Sequence, residues 1–220
     1  QNEVEHPRKS VKLATSIFVD RLFGKMQTHY KFVFVDSIFD PWVQLKLSLN
    51  IRQLPRRHCE FQKVIKMPKV KNSKRRSDVN FKADSLFEEF FRDNIISHIP
   101  VSYLEGYSCL REEASQNLPS CDAIFTANAH YHNELFKVWC AEQVASSSKL
   151  IVSDHGGALP SNMRTFNHEE KIAFFKTVWH DPYEPNHIKL PPNKIMGMSI
   201  SRSNRECIVI IGIEMRLFAN

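Results

Sequence analysis

The segment Lys149-Leu150-Ile151-Val152-Ser153-Asp154-His155-Gly156-Gly157 constrains the fold more than any other in this chain. A short apolar run enters a turn built from Asp, His and two glycines, the pattern of a buried strand with a polar loop at its carboxyl end. Helical spacing over Tyr131 to Ala145, preceded by the strand-like Ala123-Ile124-Phe125-Thr126, turns this into a strand-helix-strand unit. A second unit lies upstream: Lys31 to Val35 reads as a buried strand with Asp36 and Ser37 at its end, and a helix follows from Pro41 to Leu49. Repeated units of this kind predict an α/β fold with a Rossmann-like parallel sheet flanked by helices. In such sheets ligands collect at the carboxyl ends of the strands.

Other elements fit around that frame. Apolar residues recur at helical spacing from Ser10 to Gln27 and from Ser85 to Ile96, the second stretch stopping before Pro100. A short helix is expected around Leu110 to Ala114, a loop from Ala158 to Phe166, and a short helix or strand from His168 to Phe175. Trp179 to Pro192 is rich in proline and reads as a connection, after which Cys207 to Gly212 forms a strongly apolar strand. The expected division is a Rossmann-like amino-terminal domain over 1–178, an interdomain connection over 179–204, and over 205–220 the first strand of a carboxyl-terminal domain cut short.

Charge is unevenly placed. The net charge is +6, yet the window from Arg56 to Arg76 holds nine basic residues against the single acid Glu60. Such a run is expected as a solvated, mobile loop that suits an anionic glycan, a phosphorylated ligand or an anionic membrane surface. Nucleic acid fits poorly, because no aromatic stacking platform accompanies the charge. The five cysteines have no CxxC spacing and read as reduced thiols, which points to a cytoplasmic protein, peripheral at most to the inner membrane face. No apolar segment is long enough to span a bilayer.

His155 is the residue best suited to proton transfer, since imidazole is the commonest general acid–base side chain and the glycines beside it let backbone approach a ligand. Asp154 is an orienting or charge-compensating group, and the amides of Gly156 and Gly157 can hold an anion. His168 and Glu169 follow a short loop later and can return to the same cleft; Glu105, beside Gly106, either reaches that cleft or serves a turn. His130, His132, Asp154 and His155 also offer metal-ligating atoms. The spacing of His130 and His132 on a helix start does not turn them to one side, and no metal site is expected.

Taken in order, several short motifs resemble those of a bacterial family of transferases in surface-polysaccharide biosynthesis. They are Ile99-Pro100, Tyr103-Leu104-Glu105-Gly106-Tyr107, Ala123 to Thr126, Phe136 to Trp139, the strand ending at His155-Gly156-Gly157, and His168-Glu169 leading to Trp179. The family hallmark is a strand ending in Gln-His-Gly-Gly, then a Glu-containing segment and Trp-Gly-Trp. Here Asp154 stands in place of the Gln, and Trp179-His180-Asp181 replaces Trp-Gly-Trp. The resemblance implies the amino-terminal half of a B-type glycosyltransferase-like fold, truncated at the start of its second domain. It further implies His155 and Glu169 as catalytic residues, with Asp154, Gly156, Gly157, Glu105 and His168 binding substrate. No cofactor is expected in the chain itself; a nucleotide-sugar donor would serve the full-length protein, with a glycan or small molecule as acceptor. The readings left open beside it are a non-catalytic glycan- or protein-binding module and a metal-dependent hydrolase.

Overall fold

A computed structural model describes residues 22–66, 74, 76, 81–155 and 168–198. Five strands, β1 (His29–Val35), β2 (Ser120–Thr126), β3 (Lys149–Ser153), β4 (Phe175–Val178) and β5 (His187–Lys189), form one sheet in that order. Every neighbouring pair is parallel. All strand carboxyl ends therefore share one edge, as the strand-helix-strand reading requires.

The helices are α1 (Pro41–Asn50), α2 (Leu86–His98), α3 (Tyr107–Asn117), α4 (Ala129–His132), α5 (Glu134–Ala145) and α6 (His168–Ile172). Local chemistry fixes their starts. Asp40 caps α1 by accepting from Trp42 N at 2.9 Å, with Pro41 at the first helical position, where its missing N–H costs nothing. Ser85 accepts from Glu88 N, and the Glu88 carboxylate in turn accepts from Asp84 N. The expected continuous helix from Tyr131 to Ala145 is broken: Asn133 leaves helical geometry, and its side chain caps α5 by accepting from Phe136 N at 2.9 Å. The helix expected around Leu110 to Ala114 is longer, covering all of α3.

Helices α3 and α5 cover one face of the sheet. Leu110, Ala114, Leu135, Phe136 and Trp139 pack there against Val33, Ile124, Leu150 and Val152. Each large side chain so buried contributes about 1.5–3 kcal/mol. Trp139 satisfies its indole N–H on Pro119 O at 2.9 Å. Strand alternation sends Phe32 and Phe34 to the opposite face, where they stack with Phe39 and Phe125 at ring separations of 5.0–6.2 Å. At the outer edge of β1 the Gln53 amide substitutes for a strand, accepting from Phe32 N at 3.0 Å and donating to Phe32 O at 2.7 Å.

Two expectations change. The segment 179–204 was read as a connection, but residues 187–189 add β5 to the sheet. Beyond it Asn193 returns across the strand ends, donating to Ser37 O at 2.8 Å and to Ser153 Oγ at 2.9 Å. The basic run is not simply solvated either: Arg56 pairs with Glu60, Lys63 with Glu113, and the buried Arg76 holds Glu105 through two nitrogens at 2.7 and 2.9 Å. Glu60, the one acid inside the run, and two acids distant in sequence, Glu113 and Glu105, explain the difference. Residues 22–26 are helical, within the stretch expected from Ser10 to Gln27. The loop over Ala158 to Phe166 and the strand at Cys207 to Gly212 lie outside the described residues, as do Gly156 and Gly157. Among the described residues no helix is long and apolar enough to cross a membrane.

Candidate functional site

A lysine in the middle of a buried strand organises the strand-end edge. Lys176 sits in β4 with its side chain 4% exposed, so its charge must be compensated locally. Its Nζ lies 2.9 Å from Glu170 Oε1, 3.1 Å from Glu169 Oε2 and 3.8 Å from Asp154 Oδ1. Burial would depress the ammonium, but hydrogen bonds to Glu170 and Glu169 outweigh it and raise the lysine above its ordinary range.

Glu169, 2% exposed on α6, is the second hub. Its Oε1 accepts from the Tyr131 hydroxyl at 2.8 Å and lies 3.3 Å from His130 Nε2, while Oε2 faces Lys176. Burial pushes this carboxyl up, yet the bonds from His130, Tyr131 and Lys176 together bring it down to about 2. It is therefore an anion at any physiological pH. Tyr131 is pushed the other way, to about 12, by burial and by its bond to that anion.

His155 joins this group from the end of β3. Its Nδ1 is 4.0 Å from Glu169 Oε1, and the ring meets Tyr131 edge-on with centroids 5.7 Å apart. Nδ1 itself is buried and has no hydrogen-bond partner among the described residues, although the side chain as a whole is 26% exposed. The accessible part of the ring thus lies away from the carboxylate. An imidazole held in this way can take a proton on its outer nitrogen while the anion behind it stabilises the resulting charge.

Of the site residues proposed from sequence, the structure brings His155, Glu169 and Asp154 together. Asp154 is buried and faces Lys176; burial raises its carboxyl, against the opposing pull of Lys176 and of the Trp179 backbone N–H. His168 starts α6 and stacks toward His130 at 6.5 Å. Glu105 is committed to Arg76 and to the turn before α3. Sequence reasoning missed Lys176 and Tyr131 and considered His130 only as a metal ligand. A lone lysine inside Phe175-Lys176-Thr177-Val178 is the signal that could have been used, since a buried cation demands acidic neighbours.

A second branch runs from Glu170. This carboxylate bonds His187 Nε2 at 2.8 Å and the Tyr183 hydroxyl at 3.2 Å; burial pushes it up, but His187 and Lys176 bring it below its ordinary range. At the far side of the edge, Asp36 and Ile38 adopt left-handed backbone, φ 46° and 62°, around Ser37, whose carbonyl is held by Asn193. Strain of this kind gathers at sites where structure is over-determined. His132 Nε2 reaches Asp36 Oδ2 at 3.2 Å. No group of three His, Cys, Asp or Glu side chains is arranged to hold a metal among the described residues.

A buried carboxylate thus lies behind a partly exposed histidine at the carboxyl edge of the parallel sheet. Among known families, the model of the LIC12162 family transferases matches residues 1–219. The chain belongs to this family. No curated protein and no solved structure matches it. Within the LIC12162 family transferase described here, the cluster around Glu169 unites more buried ionisable side chains than the Arg76–Glu105 pair, the other buried ion pair set out above.

Proposed function

We propose that this transferase moves a sugar from a nucleotide-activated donor to a hydroxyl of a surface-polysaccharide or related glycan acceptor, with His155 as the general base. The observation that carries the reading is the position of His155: one ring nitrogen turned toward a buried anion, the rest of the ring open at the strand ends. In the reaction the acceptor oxygen attacks the anomeric carbon, its proton passes to His155 Nε2, and the nucleoside diphosphate leaves with the bonding electrons. Glu169 stabilises the imidazolium through Nδ1. The 4.0 Å gap is the kind that closes when substrate arrives, because catalytic hydrogen bonds are often long before the complex forms. Lys176 and Tyr131 keep Glu169 ionised and fixed, so it orients and does not itself exchange protons.

The test is turnover by the full-length protein against a panel of nucleotide sugars and glycan acceptors. His155→Ala should lower turnover by about 10²-fold or more, while leaving the thermal unfolding midpoint unchanged. Unaltered turnover in that variant would remove His155 from the chemistry.

A further inference from the structure

Three side chains address one oxygen of Glu169, and only two of them reach it. Oε1 accepts from the Tyr131 hydroxyl at 2.8 Å and lies 3.3 Å from His130 Nε2, whereas His155 Nδ1 stops at 4.0 Å. A carboxylate carries about four lone-pair sites over its two oxygens, so two partners fill Oε1. Lys176 binds Oε2 at 3.1 Å and takes no part in this competition. The consequence falls on His155, whose Nδ1 is buried with no hydrogen-bond partner among the described residues. Protonated there, the ring buries an N–H without an acceptor; unprotonated, it turns a lone pair toward an anion. Both forms are unfavourable, and no hydrogen bond selects which nitrogen carries the proton.

The two occupants of Oε1 differ in how easily they leave. His130 is 6% exposed and its Nδ1 already lacks a partner among the described residues, so giving up the Nε2 bond would strand both ring nitrogens. Tyr131 is 51% exposed, and a freed hydroxyl there can be taken up by water. We infer that Tyr131 is a latch on the candidate base: in the free protein its hydroxyl holds Glu169 Oε1, and when substrate enters it yields that oxygen to His155 Nδ1–H. Closing from 4.0 Å to a charge-assisted bond of about 2.8 Å takes roughly 1 Å of travel. The exchange fixes the proton on Nδ1 and leaves Nε2 with a free lone pair, the form a general base requires. Tyr131 is therefore a positioning residue that acts through His155. The assignment rests on the general-base reading of that histidine and adds the side chain that controls it.

The experiment is nitrogen NMR of the histidine rings on the chain as it stands; the shifts report which ring nitrogen is protonated, and His155→Ala assigns the signal. With the ring neutral, Tyr131→Phe should raise the His155 ratio of Nδ1–H to Nε2–H on the order of tenfold, the worth of one hydrogen bond to a charged group. Tyr131→Leu removes the hydroxyl too and should do the same; it decides alone if the Phe variant fails to fold. Were Tyr131 only a support for Glu169, its loss would loosen the carboxylate and the ratio would stay or fall, which overturns the latch. A change seen with Leu and absent from a folded Phe variant also overturns it, by assigning the effect to the ring. Adding Glu169→Gln to Tyr131→Phe should shrink the change, because the acceptor loses its charge. An undiminished change would place the acceptor elsewhere and overturn the latch as well. The tautomer shift with no turnover of any nucleotide sugar by the full-length protein would sustain the latch and refute sugar transfer. Turnover that His155→Ala abolishes, with no tautomer shift in the Tyr131 variants, would do the reverse.

Discussion

Replacing Lys176 by methionine should be among the most damaging single changes in the molecule. The substitution keeps most of the side-chain volume inside β4 and deletes the ammonium that faces Glu169, Glu170 and Asp154 at 3.1, 2.9 and 3.8 Å. Two of these carboxylates are held ionised in the folded protein, so the variant leaves two buried anions without the lysine that faces both. Breaking a buried ion pair by removing one partner costs about 3–5 kcal/mol. For a chain of this size each kcal/mol moves the melting temperature by about 2–4 °C, giving a fall of about 6–20 °C. Urea unfolding followed by far-ultraviolet circular dichroism measures the loss directly. The decisive control is Lys176→Met combined with Glu169→Gln, where removing the stranded anion should recover on the order of 1–3 kcal/mol relative to the sum of the single changes. A loss under about 1 kcal/mol for Lys176→Met, or strict additivity in the pair, would show that the lysine does not hold this cluster together.

Three further outcomes follow from the same geometry. Glu169 and Glu170 are lowered in the folded state, so the stability they supply is complete above their ordinary 4.5 and is lost as pH falls, through about 2 for Glu169. Asp154 is raised and works in the opposite sense, so Glu169→Gln should flatten the fall in urea midpoint between pH 4.5 and 2; an unchanged slope would refute the assignment. Burial pushes the thiols of Cys121 and Cys140 up to about 12, whereas Cys59 and Cys109 are half-buried. Iodoacetamide should therefore label Cys59 and Cys109 in the native protein and reach the other two only on unfolding, as read by mass spectrometry. His155→Ala should leave the unfolding free energy from urea titration within about 0.5 kcal/mol of the unaltered chain, since its buried Nδ1 has no hydrogen-bond partner among the described residues.

The first three strands were legible because a parallel strand covered on both faces must be apolar, and Phe32 to Val35, Ala123 to Phe125 and Leu150 to Val152 meet that demand without help. The helix or strand expected from His168 to Phe175 stopped at the first residue of β4 because Lys176 and Thr177 interrupt the apolar pattern, and the reason for the interruption lies in the acids of α6 and in Asp154 just after β3. β5 hid in a proline-rich stretch: three residues are too short for periodicity to register, and the strand exists because β4 offers it an edge. Glu169 and His155 were found because both lie near one turn in sequence. Tyr131 was not, since nothing local distinguishes a tyrosine that turns its hydroxyl inward from one that turns it out. Glu105 illustrates the opposite failure, a carboxylate beside a glycine whose partner, Arg76, sits in the basic run that looked like solvent-facing charge.

Adjacent glutamates on a five-residue helix would repel each other on a surface, and the way they are separated here explains the architecture of the edge. Glu169 and Glu170 approach Lys176 together, then diverge: Glu169 reaches His130, Tyr131 and His155 at the ends of β2 and β3, and Glu170 reaches His187 and Tyr183 on and before β5. One lysine therefore neutralises two carboxylates that serve different neighbours. Because Lys176 belongs to β4, the inner strands and the edge strand are tied through its side chain as well as through their backbone ladders. The short edge strand is thus linked to the carboxylate behind His155 through Glu170 and Lys176.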